Sequence, residues 1–205
     1  MIIAVDGPAA SGKGTIARAV AAHFNLPHLD TGLLYRAVGL SVLRHGGEPE
    51  HEIDALRACG FSDAMLHDPD IRCEAASRAA SVVSTHPAVR AALLDRQHEF
   101  AAQPGGAVLD GRDIGTVIAP GADAKLFATA TPEVRARRRF AQLVGEGSRV
   151  EYAHVLTDIR VRDARDSGRA TAPLRQAEDA LLLDTTEMSI EGASAEAIRI
   201  VASRV

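Results

Sequence analysis

Five short aliphatic runs, separated by longer segments with helical character, set the pattern of hydrophobic and polar positions along this chain. The runs cover residues 2–6, 26–30, 107–110, 125–129 and 180–184. Nearly continuous apolar runs of this length are typical of strands that are buried on both faces of a parallel sheet. The pattern therefore predicts an α/β fold in which helices cover both faces of a five-stranded parallel sheet.

Helix formers dominate the segments between these runs. We expect helices over residues 16–24, 33–45, 71–83, 88–102 and 151–167, another that ends at Gly145, and a closing helix from Ser189. The clearest helix start is that of the helix ending at Gly145. At residues 131–133 a Thr can cap this helix, a Pro fits its first position and a Glu complements its dipole. Residues 50–69 are polar and weakly periodic, so we interpret them as an insert or arm rather than as core.

Composition narrows the class of protein. The 205 residues suit one domain that carries a small insert, and a content of 46% hydrophobic and 24% charged residues is that of an ordinary globular protein. A net charge of −4 and an aromatic content of 3% argue against binding to nucleic acid or to a membrane surface. Cys59 and Cys73 lack a CxxC context and are expected to be reduced. With neither a signal-peptide pattern nor an apolar run of ~18 residues, we expect a cytoplasmic protein.

The stretch that follows the first predicted strand has the composition of a phosphate-binding loop (P-loop). It consists of Gly7, Pro8, Ala9, Ala10, Ser11, Gly12, Lys13, Gly14 and Thr15. The two outer glycines bracket four residues, so the backbone can curl and direct its N–H groups toward a phosphate, and the helix that begins here adds the positive end of its dipole. Lys13 supplies a charge for the β- and γ-phosphates. The loop therefore predicts a nucleoside triphosphate site.

One position of the loop departs from the usual pattern. The residue after Lys13 is Gly14, and the hydroxyl comes one place later, at Thr15. The Ser or Thr that ordinarily binds Mg²⁺ directly in such a loop is therefore missing. We expect the metal ion to be held in another way.

Polar residues stand where the predicted strands end. They are Asp30, Asp110, Thr129 and Asp184. In parallel α/β sheets, ligands collect at the carboxyl ends of the strands. The chain has no Asn-Lys-x-Asp stretch for reading guanine, and it is short for a motor domain. Its arginines and aspartates near strand ends and on late helices suit a site that holds two anionic substrates for phosphoryl transfer.

Four motifs carry a more specific signal. They are residues 7–15, Asp30-Thr31-Gly32-x-x-Tyr35-Arg36, the run from Asp110 to Thr116, and the stretch from Arg162 to Leu174. Over nearly its whole length the chain resembles the bacterial cytidylate kinases, which are nucleoside monophosphate kinases. The resemblance implies the P-loop kinase fold of that family, with a reduced monophosphate-binding arm at about residues 46–87 and a short lid at about residues 143–152.

The resemblance also implies which residues bind the acceptor nucleotide. Tyr35, Arg36 and Arg112 would surround the monophosphate of CMP. Cytosine presents an amino donor where uracil has an acceptor, so its recognition needs an acceptor, which Asp113 with Thr31 beside it would supply. The remaining implied contacts are Arg90 and Arg169 to the base, and Ser81, Arg162 and Asp166 to the ribose.

Catalytic roles are expected for three residues and metal binding for a fourth. Lys13, Arg112 and Arg162 are the expected catalytic residues. The resemblance implies ATP as the phosphoryl donor, with Mg²⁺ held through water by Asp110 and bridged mainly by the two nucleotides. Thr15 would then contact the α-phosphate.

Spacing supports part of this assignment and leaves alternatives for other charges. Arg162, Asp166 and Arg169 fall along one stripe of a helix unless Gly168 ends the helix first. Arg162 and Asp166 could instead form a plain ion pair, and Asp113 could be the structural partner of an arginine. One alternative for Arg135, Arg137, Arg138 and Arg139 is a solvated helix face. In the other, Arg135, Arg138 and Arg139 share a functional face, and one or two of them close over the transferred phosphoryl group from the lid. Histidines without triad or metal spacing, interpreted as ordinary, are His28, His86 and His154.

We therefore expect ATP-dependent phosphorylation of CMP, and of dCMP, by in-line phosphoryl transfer. The alternatives are a P-loop kinase for another small acceptor, such as UMP or a sugar acid, and a nucleotide-binding switch that signals to a partner. Steady multiple turnover with CMP would separate these possibilities. The expected partners are the two nucleotides alone, with no nucleic acid and no membrane, and we expect a monomer.

Overall fold

The chain forms two compact units. A computed structural model describes all 205 residues. The sheet unit comprises residues 1–29 and 103–205, and the helical unit comprises residues 30–102, which include the arm implied at 46–87. None of the helices combines the length and the apolar character that crossing a membrane would require.

Five strands form one parallel sheet, as predicted. They are β1 (Ile2–Asp6), β2 (His28–Asp30), β3 (Ala107–Gly111), β4 (Ala124–Thr129) and β5 (Leu181–Asp184). The order β2-β3-β1-β4-β5 places β1 at the centre, where Ile2 lies opposite Ala107 of β3 and Ile3 lies opposite Ala124 of β4. β2 is two residues shorter than predicted at its start. Pro27 accepts a hydrogen bond from Val108 at 2.9 Å but has no N–H to donate to a ladder.

Eight helices accompany the strands. They are α1 (Lys13–Phe24), α2 (Thr31–Arg44), α3 (Glu52–Arg57), α4 (Glu74–Val83), α5 (Pro87–Ala101), α6 (Pro132–Gly145), α7 (Tyr152–Gly168) and α8 (Ile190–Ala202). The predicted start of α6 is confirmed, since Thr131 Oγ1 accepts from the N–H of Val134 at 3.4 Å. Ser189 caps α8 in the same way, through the N–H of Gly192 at 3.0 Å.

The sheet unit has an aliphatic core. Ile3, Val5 and Leu126 of the central strands are inaccessible to solvent or nearly so, and Val20 of α1 and Val201 of α8 pack against them. Residues buried from both sides explain why the strands read as continuous apolar runs instead of alternating ones. This packing fixes the strand ends, from which the predicted site residues extend.

A second hydrophobic core lies within the helical unit. A Cβ atom on Gly39 of α2 would lie 2.8 Å from the Cβ of Ala79 in α4, so only glycine allows these helices to approach so closely. The prediction that residues 50–69 form an arm outside any core is wrong for two residues, because Ala55 and Phe61 are buried in this cluster. Short 3-10 turns, which have no strong periodicity, account for much of this segment.

Candidate active site

The predicted phosphate loop connects β1 to α1. At Gly7 a Cβ atom would lie 2.0 Å from the carbonyl oxygen of Ala128, so a larger residue does not fit there. The φ of Gly12 is 89°, in the left-handed region that favours glycine. Both glycines that bracket the loop are therefore required by its backbone.

The loop runs without a break into the first turn of α1. The carbonyl of Gly12 accepts from the N–H of Thr15 at 3.0 Å and of Ile16 at 3.1 Å. Lys13 is the first residue of the helix, and its Nζ donates to the carbonyl of Pro8 at 3.4 Å. The lysine amine, the first N–H groups of the helix and its dipole thus act at one place, which favours a bound anion.

Two arginines of α6 contact the phosphate loop. Arg135 is buried, donates to the carbonyl of Ala9 at 3.2 Å, and binds both carboxylate oxygens of Asp163 in α7 at 2.9 and 2.5 Å. Arg138 lies 3.4 Å from the carbonyl of Ser11. The alternative of a merely solvated helix face is therefore wrong for these two arginines.

Asp110 of β3 is buried beside the first turn of α1. Its Oδ2 lies 2.7 Å from Nε2 of His28 in the neighbouring strand β2. A Cβ atom on Gly14 would lie 3.9 Å from each oxygen of the Asp110 carboxylate. The carboxylate therefore faces the position where the usual Ser or Thr of a phosphate loop would stand. His28, interpreted from the sequence as an ordinary histidine, contacts a residue of the predicted site.

Asp6 ends β1 and fixes the turn that follows β3. Its carboxylate accepts from the N–H groups of Ile114 and Gly115, each at 2.8 Å. These residues belong to a single π-helical turn. Burial raises the pKa of Asp6 to about 6, against the effect of the two N–H groups, and the carboxylate of Asp113 acts in the same direction as burial.

Three predicted substrate-binding arginines of the sheet unit gather around the buried carboxylate of a fourth predicted residue, Asp166. Arg112 donates through Nε to Oδ2 of Asp166 in α7 at 2.8 Å. Burial by itself raises the pKa of Asp166, but the charges of Arg112, Arg162 and Arg169 outweigh it and hold that pKa below its ordinary value. The aspartate is therefore ionised and set among three cations, as a site for an anionic substrate requires.

Arg169 lies just past the end of α7. Gly168 is the last residue of that helix, and Arg169 has extended backbone angles. Its Nη2 donates to the carbonyl of Ala172 at 2.8 Å, while the N–H of Leu174 donates to the carbonyl of Asp166 at 2.8 Å. Gly168 therefore ends the helix, as the sequence allowed, and the predicted helix stripe holds Arg162 and Asp166 but not Arg169.

The helical unit holds five further predicted substrate residues, whereas the buried Asp113 lies in the sheet unit. Arg36 in α2 donates through Nη1 to Oγ of Ser77 in α4, and the buried Ser81 lies one turn further along the same face of α4. The guanidinium of Arg90 in α5 lies 5.6 Å from the centre of the Tyr35 ring, which is within the range of a cation–π contact. The unit thus holds cations and hydroxyls on three packed helices.

Comparison with known proteins decides the family. The sequence model of the family described as Cytidylate kinase matches residues 3–203 of the chain. The chain belongs to the cytidylate kinase family. It is 60% identical to a protein from Xanthobacter autotrophicus named Cytidylate kinase, in an alignment that covers 100% of this chain and 98% of the relative. A protein of the same name from Caulobacter vibrioides is 57% identical over 98% of this chain and 94% of the relative.

Solved structures agree with the fold. An uncharacterized protein from Eubacterium ventriosum matches with a TM-score of 0.56 at 17% identity, covering 100% of this chain and 99% of that one. The protein TT1252 from Thermus thermophilus matches with a TM-score of 0.50 at 20% identity, covering 100% of this chain and 97% of that one. At these identities the likeness concerns the fold alone. The family of nucleoside monophosphate kinases inferred from the four motifs is confirmed by the sequence comparisons.

In this member of the cytidylate kinase family, the residues beside the phosphate loop suit a Mg²⁺ ion that is held mainly by nucleotide phosphates. His, Cys, Asp and Glu side chains nowhere gather in groups of three that could bind a metal. Mg²⁺ usually keeps several waters and binds through one or two carboxylates together with substrate phosphates. Asp110, whose carboxylate faces Gly14 of the phosphate loop, provides one such carboxylate.

Three residues that hold parts of the candidate site in place were not identified from the sequence; they are Asp6, Ser77 and His28. The sequence contains a signal that could have identified Asp6, because this acid ends a buried strand and stands directly before Gly7. Ser77 had one as well, since it precedes Ser81 by one helical turn. His28 had none, because its contact depends on the order of the strands.

Proposed function

We propose that this protein transfers the γ-phosphoryl group of ATP to CMP, and to dCMP, to give the diphosphate. The observation that carries the proposal is the family match over residues 3–203, with near full-length relatives named Cytidylate kinase at up to 60% identity. The phosphate loop and the charged cluster around Asp166 support it, because they offer the sheet unit two kinds of anion-binding group.

On the donor side, the phosphate loop would bind ATP. The loop N–H groups and the dipole of α1 would hold the phosphates, Lys13 would neutralise the β- and γ-phosphates, and Thr15 would contact the α-phosphate. Asp110 would hold Mg²⁺ through water, and the ion would supply positive charge that offsets the charge of the phosphates. The bond from His28 to Asp110 supports this role, since it orients the carboxylate.

On the acceptor side, arginines would bind the monophosphate. Arg36, held by Ser77, and Arg112, held by Asp166, would each present a guanidinium to phosphate oxygens, with Tyr35 beside them. The other proposed contacts are Asp113 and Thr31 to the cytosine amino group, Arg90 and Arg169 to the ring acceptors, and Ser81, Arg162 and Asp166 to the ribose. This set would read the base by hydrogen bonds and the monophosphate by charge.

The chemistry would need positioning and charge neutralisation rather than a base. The acceptor is already an anionic phosphate, so no histidine is needed to remove a proton. Lys13, Arg112 and Arg162 would offset the charge that develops on the transferred phosphoryl group. Residues 46–87 would serve as the monophosphate-binding arm and residues 143–152 as a lid.

The cellular setting belongs to the same proposal. Cys59 and Cys73 are both free thiols, which supports a reducing compartment such as the cytoplasm. The proposal takes a monomer as the working form.

A coupled assay that follows ADP formation tests the proposal. The purified protein is assayed with ATP and, in turn, CMP, dCMP, UMP, AMP and GMP. We expect steady multiple turnover without any partner and the highest kcat/KM for CMP, with Lys13→Ala as the inactive control. A clear preference for AMP or GMP would overturn the base assignment, and a single turnover that depends on a partner would indicate a switch.

A further inference from the structure

Ala10, in the middle of the phosphate loop, has a left-handed backbone. Its φ is 58°, and the other non-glycine residues with positive φ are Asn25 and Ala172. Asparagine tolerates this region because its side chain bonds to nearby backbone, whereas alanine has no such compensation. A conformation of this kind persists only where the surroundings hold it in place.

The carbonyl groups on either side of Ala10 are both held from outside the loop. The carbonyl of Ala9 accepts from Nη1 of Arg135 at 3.2 Å. The carbonyl of Ser11 lies 3.0 Å from the hydroxyl of Thr185, which follows β5 and shares its one proton between this carbonyl and that of Thr129, also at 3.0 Å. That hydroxyl accepts in turn from Nη1 of Arg138 at 2.9 Å. We call Arg135, Asp163, Arg138 and Thr185 the loop clamp.

The guanidinium of Arg135 is already committed to protein partners. Its Nε donates to the carbonyl of Ala130 at 2.8 Å, and its two terminal nitrogens donate to Ala9 and to both oxygens of Asp163. Four of the five N–H groups of this arginine are therefore engaged. A buried guanidinium bound in this way is not available to fork onto a phosphate.

The clamp controls the direction of the loop N–H groups. A peptide group is planar and trans, so the C=O of one residue and the N–H of the next point in opposite directions. The Ala9 carbonyl points at Arg135, which directs the N–H of Ala10 away from that arginine. The Ser11 carbonyl points at Thr185, which directs the N–H of Gly12 away from that hydroxyl.

We propose that Arg135 and Thr185 are positioning residues that hold the phosphate loop in its ATP-binding conformation by bonding the two carbonyls that flank Ala10. Asp163 and Arg138 orient these two residues. The clamp thereby offsets the cost of an alanine at a position where glycine would be unstrained. The inference rests on the proposed function in one respect, since it takes the ligand of the loop to be the triphosphate of ATP.

The first test is amide hydrogen exchange on the nucleotide-free protein. We expect Arg135→Lys, which keeps the charge but loses the fork, to speed exchange at residues 9–12 about tenfold. The exposed Arg137 lies two residues further along α6, so Arg137→Lys is the matched control and should leave this exchange unchanged. Should Arg135→Lys fail to fold, Asp163→Asn tests the same clamp. Unchanged exchange in both variants would overturn the proposal.

The second test uses ATP and separates positioning from catalysis. Arg135→Lys should weaken ATP binding, measured by calorimetry without CMP, by about tenfold. In steady state it should raise KM for ATP while kcat changes less than about threefold. Adding Ala10→Gly should recover most of the lost affinity, because glycine adopts this φ without a clamp.

Each result has a distinct meaning. If Ala10→Gly fails to restore ATP binding, or if kcat falls while KM for ATP stays constant, Arg135 acts in another way and the proposal is overturned. If the wild-type protein does not bind ATP at all, the proposed function is wrong, and the nucleotide-free exchange rates still decide whether the clamp orders the loop.

Discussion

Nε2 of His28 lies 2.7 Å from Oδ2 of Asp110, and the two side chains come from adjacent strands that end at the same edge of the sheet. Asp110 is almost fully buried, and the imidazole is one of the groups that orient its carboxylate beside Gly14. Mutation of a residue that orients a metal-binding carboxylate typically reduces metal affinity or activity by about 10–100-fold.

Replacement of His28 should therefore change the magnesium dependence. We expect His28→Ala to raise the Mg²⁺ concentration for half-maximal rate by about tenfold, and His28→Asn, which keeps a hydrogen-bonding group, to raise it less. Initial rates over a Mg²⁺ titration at fixed ATP and CMP measure the effect, with the exposed His154→Ala as control. An identical titration for His28→Ala would show that His28 only packs against Asp110.

Asp6 should make stability depend on pH. Its pKa is about 6 in the folded protein against an ordinary 3.8, so the folded state favours the protonated form. The protonated carboxyl stabilises the folded state by about 3 kcal/mol. This contribution is fully present below about pH 4 and is lost as pH rises through 6. Relative to Asp6→Asn, the wild type should lose unfolding free energy between pH 4 and 7, as measured by urea unfolding. A constant difference between the two proteins would contradict this assignment.

Asp166 should make stability depend on pH in the opposite direction. Its pKa is lowered by three arginines, so its contribution to stability is present above its ordinary pKa and is lost as pH falls below it. At pH 7, Asp166→Asn should reduce the free energy of unfolding by about 2 kcal/mol, because it leaves three partly buried arginines without their counter-ion. The difference from the wild type should shrink in acid. A difference that stays the same down to pH 3 would rule out the ionised pair as its source.

Two glycines of the loop should respond differently to alanine. At Gly7 a Cβ atom would meet a carbonyl at 2.0 Å, so Gly7→Ala should cost about 3 kcal/mol of unfolding free energy. At Gly14 the nearest atom would lie 3.7 Å away, and a helical Gly→Ala change should raise stability by about 0.5 kcal/mol. Thermal unfolding of both variants and of the wild type measures the two changes in stability. Equal losses would mean that the loop backbone relaxes around either change.

Asp113 should govern the choice between pyrimidines. If it accepts from the cytosine amino group, Asp113→Ala should lower the ratio of kcat/KM for CMP over UMP by about tenfold or more. Arg36→Ala is the matched control, because a residue that binds only the monophosphate should lower both values alike. Competition between CMP and UMP in one assay measures the ratio directly. An unchanged ratio would remove Asp113 from base recognition.

The sequence predicted those parts of the fold that depend on local signals. The five strands follow from apolar runs buried on both faces, and the start of α6 follows from Thr131 and Pro132. The phosphate loop is equally local, because its glycines, lysine and flanking elements are consecutive. Membership of the cytidylate kinase family follows from motifs of the same local kind.

Contacts between distant elements were beyond prediction. Arg135 contacts Ala9 across 126 positions, and nothing in either neighbourhood signals the other. The partner of Asp110 depends on β2 lying next to β3, which the order of elements alone does not specify. Phe61 was missed for a different reason, since short 3-10 turns bury residues without a helical period.

The position of β1 at the centre of the sheet affects how the protein forms during synthesis. Its neighbours β3 and β4 follow more than 100 residues later in the chain, whereas the helical unit is one continuous stretch. On the ribosome, the helical unit can fold while the first strand still lacks both partners. The phosphate loop is therefore completed only after the segments that surround it, which follow it by more than 100 residues, have been synthesised.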